Sequence, residues 1–389
     1  MTDTTNLEKQ KVDIDIAEDE AAIKKVLNFR AAVEALVSDE NDKSEISDPG
    51  LVTDDLDESA NQIYAESNGE IIASFRVNFG EDTKITEMMK ENFGLELFSE
   101  YHESELSFTS KLLIDPKWRN TTVPAKLLDA GYRMIRIKKI SFDFCESSPA
   151  MVQFYEHLGY RRYKENFVDE KKGFRIPMVL ITEDIENMKK FKSPFLHVAG
   201  KFENTPVTTD WFNKKLPPYF GVASERLLSI DDFWRFLAEN LDADKVPLLR
   251  DLSNEEIKKF LTTGVILNVK KGDKIVRAGD IGNEMFVILS GSVDVRGRID
   301  NKDCSVAKFG KGEIFGEMGF LDHTKRSADV IAEDDMEILV LTQSFLRKSM
   351  RMIPETAAKI LFNLSVILCE RLRTNTTHLI ESLGSDSNK

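Results

Sequence analysis

The opening residues, 1–18, are polar and without periodicity, which predicts a disordered start. Ala21, Ala22, Ile23, Val26, Leu27, Phe29, Ala32, Val33 and Leu36 then recur at helical spacing, predicting an amphipathic helix over 19–37. The acidic stretch 39–58 reads as a loop. Two apolar runs, Ile63–Ala65 and Ile71–Val77, flank Asn68-Gly69. Both of those residues tolerate positive φ, so the pattern predicts a β-hairpin. One helix or two short ones follow over 84–99. Ser104 to Asp115 alternates as a strand and is stopped by Pro116, which lacks a ladder donor. A helix begins at Pro124, suited to a first turn, and runs to about Lys139. Ile140–Cys145 is the next strand. Pro149 opens a short helix that Gly159 ends, and strands at Arg161–Tyr163 and Met178–Ile181 close the region.

Prolines punctuate 183–246, read as a structured linker with one helix from Ile230 to Leu241. From Val265 the period shortens. Glycines at 272, 279, 282, 291, 297, 310, 312, 316 and 319 separate short strands, the pattern of an antiparallel barrel or jelly roll. Helices return over 343–352 and 354–373, and the residues from about Ser382 are expected to fray. The result is an α+β multidomain chain. A disordered start (1–18) precedes an α/β domain (19–194), a linker (195–246), a β-barrel domain with flanking helices (247–381) and a tail (382–389).

Composition narrows the function classes. The chain has 389 residues, 41% hydrophobic and 31% charged, as expected of two or three globular domains. No apolar run is long enough to span a membrane, and the acidic N-terminus lacks the order of an export signal. The net charge of −14 argues against nucleic-acid binding. Its distribution is uneven, since Lys117 to Lys172 is locally basic, as either a solvated surface or a rim for a phosphate-bearing ligand. Cys145, Cys304 and Cys369 form neither a disulfide framework nor a zinc pattern, which fits a cytoplasmic location and no metal.

The barrel segment carries chemistry in Phe315-Gly316-Glu317-Met318-Gly319-Phe320-Leu321 and Lys325-Arg326-Ser327-Ala328. Gly316 permits close backbone approach, and a helix starting there aims N–H groups at an anion. Glu317 can accept sugar hydroxyls, Arg326 can pair bidentately with a phosphate, and Ser327 can donate a hydroxyl. This segment, with Lys271-Gly272-Asp273, Gly279-Asp280 and Ile288-Leu289-Ser290-Gly291, resembles the cyclic-nucleotide-binding family from about residue 250 to 373. The resemblance implies that cAMP or cGMP is the ligand. Glu317 would hold the ribose 2′-hydroxyl, Arg326 the cyclic phosphate, and Gly316 and Met318 would offer backbone N–H groups beside Phe315 and Ser327. Gly319 and Lys325 depart from that family's usual alanine and proline.

Three N-terminal elements resemble the GNAT-type N-acyltransferases: the hairpin Asn68–Val77, the segment Leu113–Pro124, and Ser148–Tyr160 with its Phe154-Tyr155-Glu156-His157-Leu158-Gly159-Tyr160 block. The resemblance implies an acyl-CoA or acyl-carrier-protein thioester as donor, held by Arg119, Asn120, Thr121, Thr122, Val123 and Ala125. Tyr155 would protonate the departing thiolate. The base stays open between Glu105, its neighbour Glu103 and water. Asn120, Thr122 and Pro124 stand where the family has glycines. That departure, with Arg162–Phe167 and Pro177–Leu180, is similar to the N-acyl amino acid synthase and autoinducer-synthase branch. His157 and Cys145 read as a surface and a core residue.

Three functions follow from these readings. The first is a cyclic-nucleotide-regulated N-acyltransferase, acting on a small-molecule or lysine amine with an acyl carrier protein as possible partner. The second is a non-catalytic nucleotide sensor or scaffold with a degenerate acyltransferase fold. The third, a transcriptional regulator, is disfavoured by the charge and by the short stretch after Arg373.

Overall fold

The computed structural model describes residues 10–37, 53–119, 121–169, 172–216, 246–261, 264–280, 282–299, 302–322 and 324–386. It divides into two compact units, Met1–Phe167 with Ile176–Tyr219, and Val168–Arg175 with Phe220–Lys389.

The first unit is built on a mixed sheet. The strands of this sheet are β1 (Asp13–Ile16), β2 (Ala60–Ser67), β3 (Glu70–Phe79), β4 (Leu106–Ile114), β5 (Phe142–Ser147), β6 (Arg161–Arg162), β7 (Phe167–Asp169) and β8 (Gly173–Ile181), of which Val168–Arg175 group with the second unit. They run in the order β1-β2-β3-β4-β5-β8-β6, with β7 paired to β8. The expected hairpin is present: Asn68 and Gly69 have φ of 54° and 82°. Helix α1 (Glu20–Val37) is capped by Asp19, whose carboxylate accepts the Ala22 N–H at 2.7 Å. Helix α2 (Glu87–Phe93) precedes β4, α3 (Val123–Ile137) connects β4 to β5, and α4 (Val152–Leu158) follows β5. The only parallel pair among the described strands is β4 with β5, because α3 is a crossover.

The pleat sorts this sheet into two cores. One face carries Ile63, Ala65, Phe75, Val77 and Phe79 against Val123, Leu127 and Ile135 of α3. The other carries Leu106, Phe108, Phe142 and Phe144 against Met89 and Phe93 of α2, and Phe98. Gly131 lets α3 lie close on the sheet: a Cβ there would sit 1.9 Å from Phe75 Cζ.

Several expectations need correction. Asp13–Ile16, expected to be disordered, pairs with β2, because Val12 and Ile14 pack on the first core while Asp13 and Asp15 alternate with them. Asp55–Asp57, expected in a loop, is a 3-10 turn capped by Asp54. The linker reading fails for 195–216. After α5 (Ile185–Lys190) and α6 (Leu196–Ala199), helix α7 (Val207–Lys215) joins the second core of the first unit through Phe212, with Leu216 just beyond it. The helix expected at Ile230–Leu241 lies outside the described residues.

The second unit contains two four-stranded antiparallel sheets, the expected jelly roll. Its strands are β9 (Val265–Val269), β10 (Lys274–Val276), β11 (Glu284–Ser290), β12 (Val293–Ile299), β13 (Lys302–Phe309), β14 (Ile314–Phe315), β15 (Asp329–Ala332) and β16 (Met336–Thr342). The sheets read β10-β15-β12-β13 and β14-β11-β16-β9. Its helices are α8 (Asn254–Leu261), α9 (Glu317–Asp322), α10 (Gln343–Met352) and α11 (Pro354–Asp386). The core joins Met285, Val287, Leu339 and Leu341 to Ile257, Phe345, Ile360 and Leu364 from the helices. Helix α11 continues through residues 382–386, expected to fray.

Candidate functional sites

In open α/β sheets, ligands bind beyond the carboxyl ends of the parallel strands. Here β4 and β5 share three rungs, Leu106↔Phe142, Ser107↔Asp143 and Phe108↔Phe144, and then part. Beyond that point β4 pairs with β3 alone and β5 with β8. The candidate donor residues follow the end of β4, and Tyr155 follows the end of β5.

Among its described residues, the donor segment provides fewer free amides than expected. Arg119 is exposed and its Nε donates to the Ile114 carbonyl at 3.3 Å. Asn120 lies outside the described residues. The Thr121 hydroxyl donates to the Trp118 carbonyl at 2.7 Å and accepts the Val123 N–H at 3.2 Å. Thr122 and Ala125 are exposed, Val123 is buried, and Pro124 has no N–H to give. Two of the first three α3 positions therefore offer no amide to an anion, leaving Ala125, with Thr122 just before the helix.

Tyr155 is buried, with its ring edge-on to Tyr160 at a centroid distance of 5.4 Å. Burial first, and then Cys145, Asp143 and Glu146, push its hydroxyl far above the ordinary range, so it stays protonated. Glu105 is differently employed. Its carboxylate accepts the His102 N–H at 3.1 Å and the Ser141 hydroxyl at 3.1 Å, closing a capping box.

Two polar clusters were not anticipated. In the first, Arg30 Nη1 lies 2.6 Å from Asp57, and Arg76 Nη1 lies 2.5 Å from Asp54 and 2.8 Å from Asp57. Burial alone would raise the Asp57 carboxyl, but hydrogen bonds from Arg30, the Asp54 backbone and Arg76 hold it at about 2. An arginine inside each of two apolar patterns, α1 and β3, was the available signal. In the second cluster Asp143 accepts hydrogen bonds from Ser107, Thr109 and Tyr160.

In the barrel, the expected residues converge. Gly316 has φ of 78° and leads directly into α9. Arg326 is buried and donates to the Gly316 carbonyl at 2.7 Å and the Glu284 carbonyl at 2.8 Å; the Glu284 carboxylate is 3.2 Å away. Phe315 stacks on Phe286 with centroids 4.7 Å apart. Glu317 is buried, and its Oε1 accepts from Arg371 of α11 at 2.8 Å. Arg371 also donates to the Ile314 carbonyl at 2.6 Å and lies over the Phe309 ring. Met318 and Ser327 are exposed neighbours, with Oγ and Sδ 4.0 Å apart. Arg371, which reading the local motif could not find, ties the candidate ribose acceptor to the last helix.

Residues 32–184 match the family model described as N-acyl amino acid synthase FeeM, and residues 266–352 match the cyclic nucleotide-binding domain. The Cyclic AMP receptor protein of Thermus thermophilus is 33% identical over 33% of this chain and 57% of its own. Glutaminase 2 of Bradyrhizobium diazoefficiens is 34% identical over 34% of this chain and 21% of its own. The chain thus spans less than two thirds of either relative. Among solved structures, the Thermus thermophilus Catabolite Activator Protein is 30% identical, covering 34% of this chain and 61% of that one, with a TM-score of 0.32. A cyclic nucleotide-binding domain from Methylobacillus flagellatus is 27% identical, covering 42% and 93%, with a TM-score of 0.36. No described helix is long and apolar enough to cross a membrane.

Proposed function

We propose that this chain, which joins an N-acyl amino acid synthase domain to a cyclic nucleotide-binding domain, moves an acyl group from a thioester to an amine under control of a cyclic nucleotide. The observation that carries the transferase half is Tyr155. It is a buried tyrosine just beyond the carboxyl end of β5, where a general acid for a thiolate leaving group would stand, and burial keeps its hydroxyl protonated in the resting site. Arg119 and the Thr122 and Ala125 amides are the donor contacts. So sparse a cradle favours an acyl-carrier thioester, with its single phosphodiester, over the pyrophosphate of CoA. The acceptor is an amine, either of a small molecule or of a lysine. We read the protein as cytoplasmic, with all three cysteines free.

Arg326 and Glu317 carry the nucleotide half. The guanidinium is fixed by two carbonyls beside Gly316, and the Glu317 carboxylate faces α11 through Arg371. A ribose hydroxyl accepted by Glu317 therefore acts on the residue that tethers that helix. Regulation follows if the nucleotide binds two arrangements of α11 with different affinity.

Calorimetry with cAMP and cGMP on the full-length protein, with Arg326→Ala as control, tests the nucleotide half. Heat that persists unchanged in the variant removes Arg326 from the site. Acyl transfer measured with and without saturating nucleotide tests control, and equal rates while nucleotide is bound overturn it. A second reading, a sensor with a degenerate transferase fold, draws on the reduced set of free amides at α3. It predicts that Tyr155→Phe leaves every measurable property except stability unchanged.

A further inference from the structure

Asp143 has no accessible surface and sits on the middle of the three rungs that join β4 to β5. Its carboxylate accepts Ser107 Oγ at 2.5 Å, Thr109 Oγ1 at 2.8 Å and the Tyr160 hydroxyl. Ser107 and Thr109 face it from β4, Tyr160 from the segment after α4, Tyr155 from α4, and Cys145 from its own strand. No lysine or arginine among the described residues contributes to its ionisation. A buried carboxylate without a cation is costly, and here its two oxygens depend on three hydroxyl donors. Its position is equally specific. Thr109 is the first residue of β4 past the last shared rung, where the strands part. Thr109 keeps 6% of its surface accessible, whereas Ser107 and Asp143 keep 0%. On the other side, Tyr160 stands edge-on to Tyr155.

We propose that Asp143 is the proton acceptor for the attacking amine, reached through the Thr109 hydroxyl. This rests on the acyltransferase reading above. As nitrogen attacks the thioester carbonyl, its proton passes to Thr109 Oγ1 and the Thr109 proton passes to Asp143. The C–N bond forms, the C–S bond breaks, and the thiolate takes the Tyr155 proton. Asp143 then returns its proton through Thr109 to water, and Tyr155 regains one from water. One proton has moved from nitrogen to sulfur and both side chains are as they began. Burial raises the Asp143 carboxyl to about 6 against the pull of its three hydroxyl donors, so it is ionised at neutral pH and still binds a proton readily.

The test uses full-length protein, lauroyl–acyl carrier protein or lauroyl-CoA as donor, and a mixture of the twenty amino acids as acceptor. Hydroxylamine, largely unprotonated at neutral pH and strongly nucleophilic, is the second acceptor. Wild-type kcat should fall as pH drops through about 6. Asp143→Asn should lower kcat with amino acids roughly 100-fold or more, leave the donor KM unchanged and abolish the acid limb. The same variant should acylate hydroxylamine at close to the wild-type rate. Thr109→Val should behave like Asp143→Asn, and Thr109→Ser should restore the rate. An Asp143→Asn protein with the wild-type rate and limb overturns the proposal. So does an equal loss towards both acceptors, which marks a structural role. If Asp143→Asn does not fold, Thr109→Val decides, and an unchanged kcat there is fatal to the relay. Wild-type protein that acylates no amine, hydroxylamine included, overturns the transferase reading itself and the inference with it.

Discussion

Replacing Gly282 by alanine should disable the nucleotide site without substituting any of its proposed ligand-binding residues. Gly282 does not have positive φ, so its backbone accepts alanine. The new Cβ, however, would sit 2.3 Å from Arg326 Nη2, 2.6 Å from Nε and 2.7 Å from Cζ. Ordinary contact begins at 3.4 Å, so the guanidinium must retreat by about 1 Å. It has little room to do so, being 6% exposed and held at 2.7 Å by the Gly316 carbonyl and 2.8 Å by the Glu284 carbonyl. A retreat of that size breaks both bonds. Hydrogen bonds from a charged donor contribute about 1.5–3 kcal/mol each, and part is recovered by rearrangement, so unfolding free energy should drop by about 2 kcal/mol. The bidentate geometry for a phosphate is lost as well. Affinity for cAMP or cGMP should fall by about 2–4 kcal/mol, or roughly 30- to 1000-fold. Calorimetry gives the affinity and urea titration the stability. Gly310→Ala is the control, because its Cβ would meet nothing within 4 Å. If Gly282→Ala binds nucleotide like the wild type while Arg326→Ala does not, the guanidinium does not need its present seat. If both bind like the wild type, Arg326 is not the phosphate partner.

Three further outcomes follow from the first unit. Gly131→Ala gains about 1 kcal/mol of helix propensity but drives a methyl to 1.9 Å from Phe75 Cζ, so the net result should be destabilisation by about 1–3 kcal/mol in denaturant titration. Asp57→Asn leaves the buried guanidinia of Arg30 and Arg76 without their shared carboxylate and should cost about 3–5 kcal/mol, read by the same titration. Asp143 has a folded-state pKa of about 6, above its ordinary 3.8, so the folded protein binds the extra proton between those values. Its stabilising contribution is therefore complete below pH 3.8 and lost as pH rises through about 6, a change of about 3 kcal/mol that a pH series of unfolding titrations should show and Asp143→Asn should remove.

How much of this was legible in the sequence depended on whether the signal was local. Asn68-Gly69, Pro116, Pro124 and Gly159 act through their own φ or their own missing N–H, and each marks a boundary close to the observed one. The barrel motif was legible for the same reason: Gly316, Glu317 and Arg326 lie within eleven residues, and β14, α9 and β15 hold them together. Local reading failed where polarity disguised a pattern. Asp13 and Asp15 made a strand look like a tail, and the run of carboxylates before Glu58 made Asp54 and Asp57 look solvated, although both face buried arginines.

The side chains that bear most on mechanism were beyond local reading altogether. Asp143 reads as one polar residue in an apolar strand. Its meaning comes from Ser107 and Thr109, brought alongside by a parallel pairing that needs the whole α3 crossover, and from Tyr160 beyond α4. Arg371 is likewise one more basic residue on a long helix until the fold sets it against Glu317, 54 positions earlier. Motifs therefore named the candidate ligand-meeting groups, while the side chains that hydrogen-bond to their neighbourhood came only from tertiary pairing. Glu105 shows the converse. Its place beside a central strand made it a candidate base, and its carboxylate accepts the His102 N–H and the Ser141 hydroxyl at the turn into β4. Glu105 stands just before the first residue of β4, whereas Asp143, the base proposed above, lies inside β5.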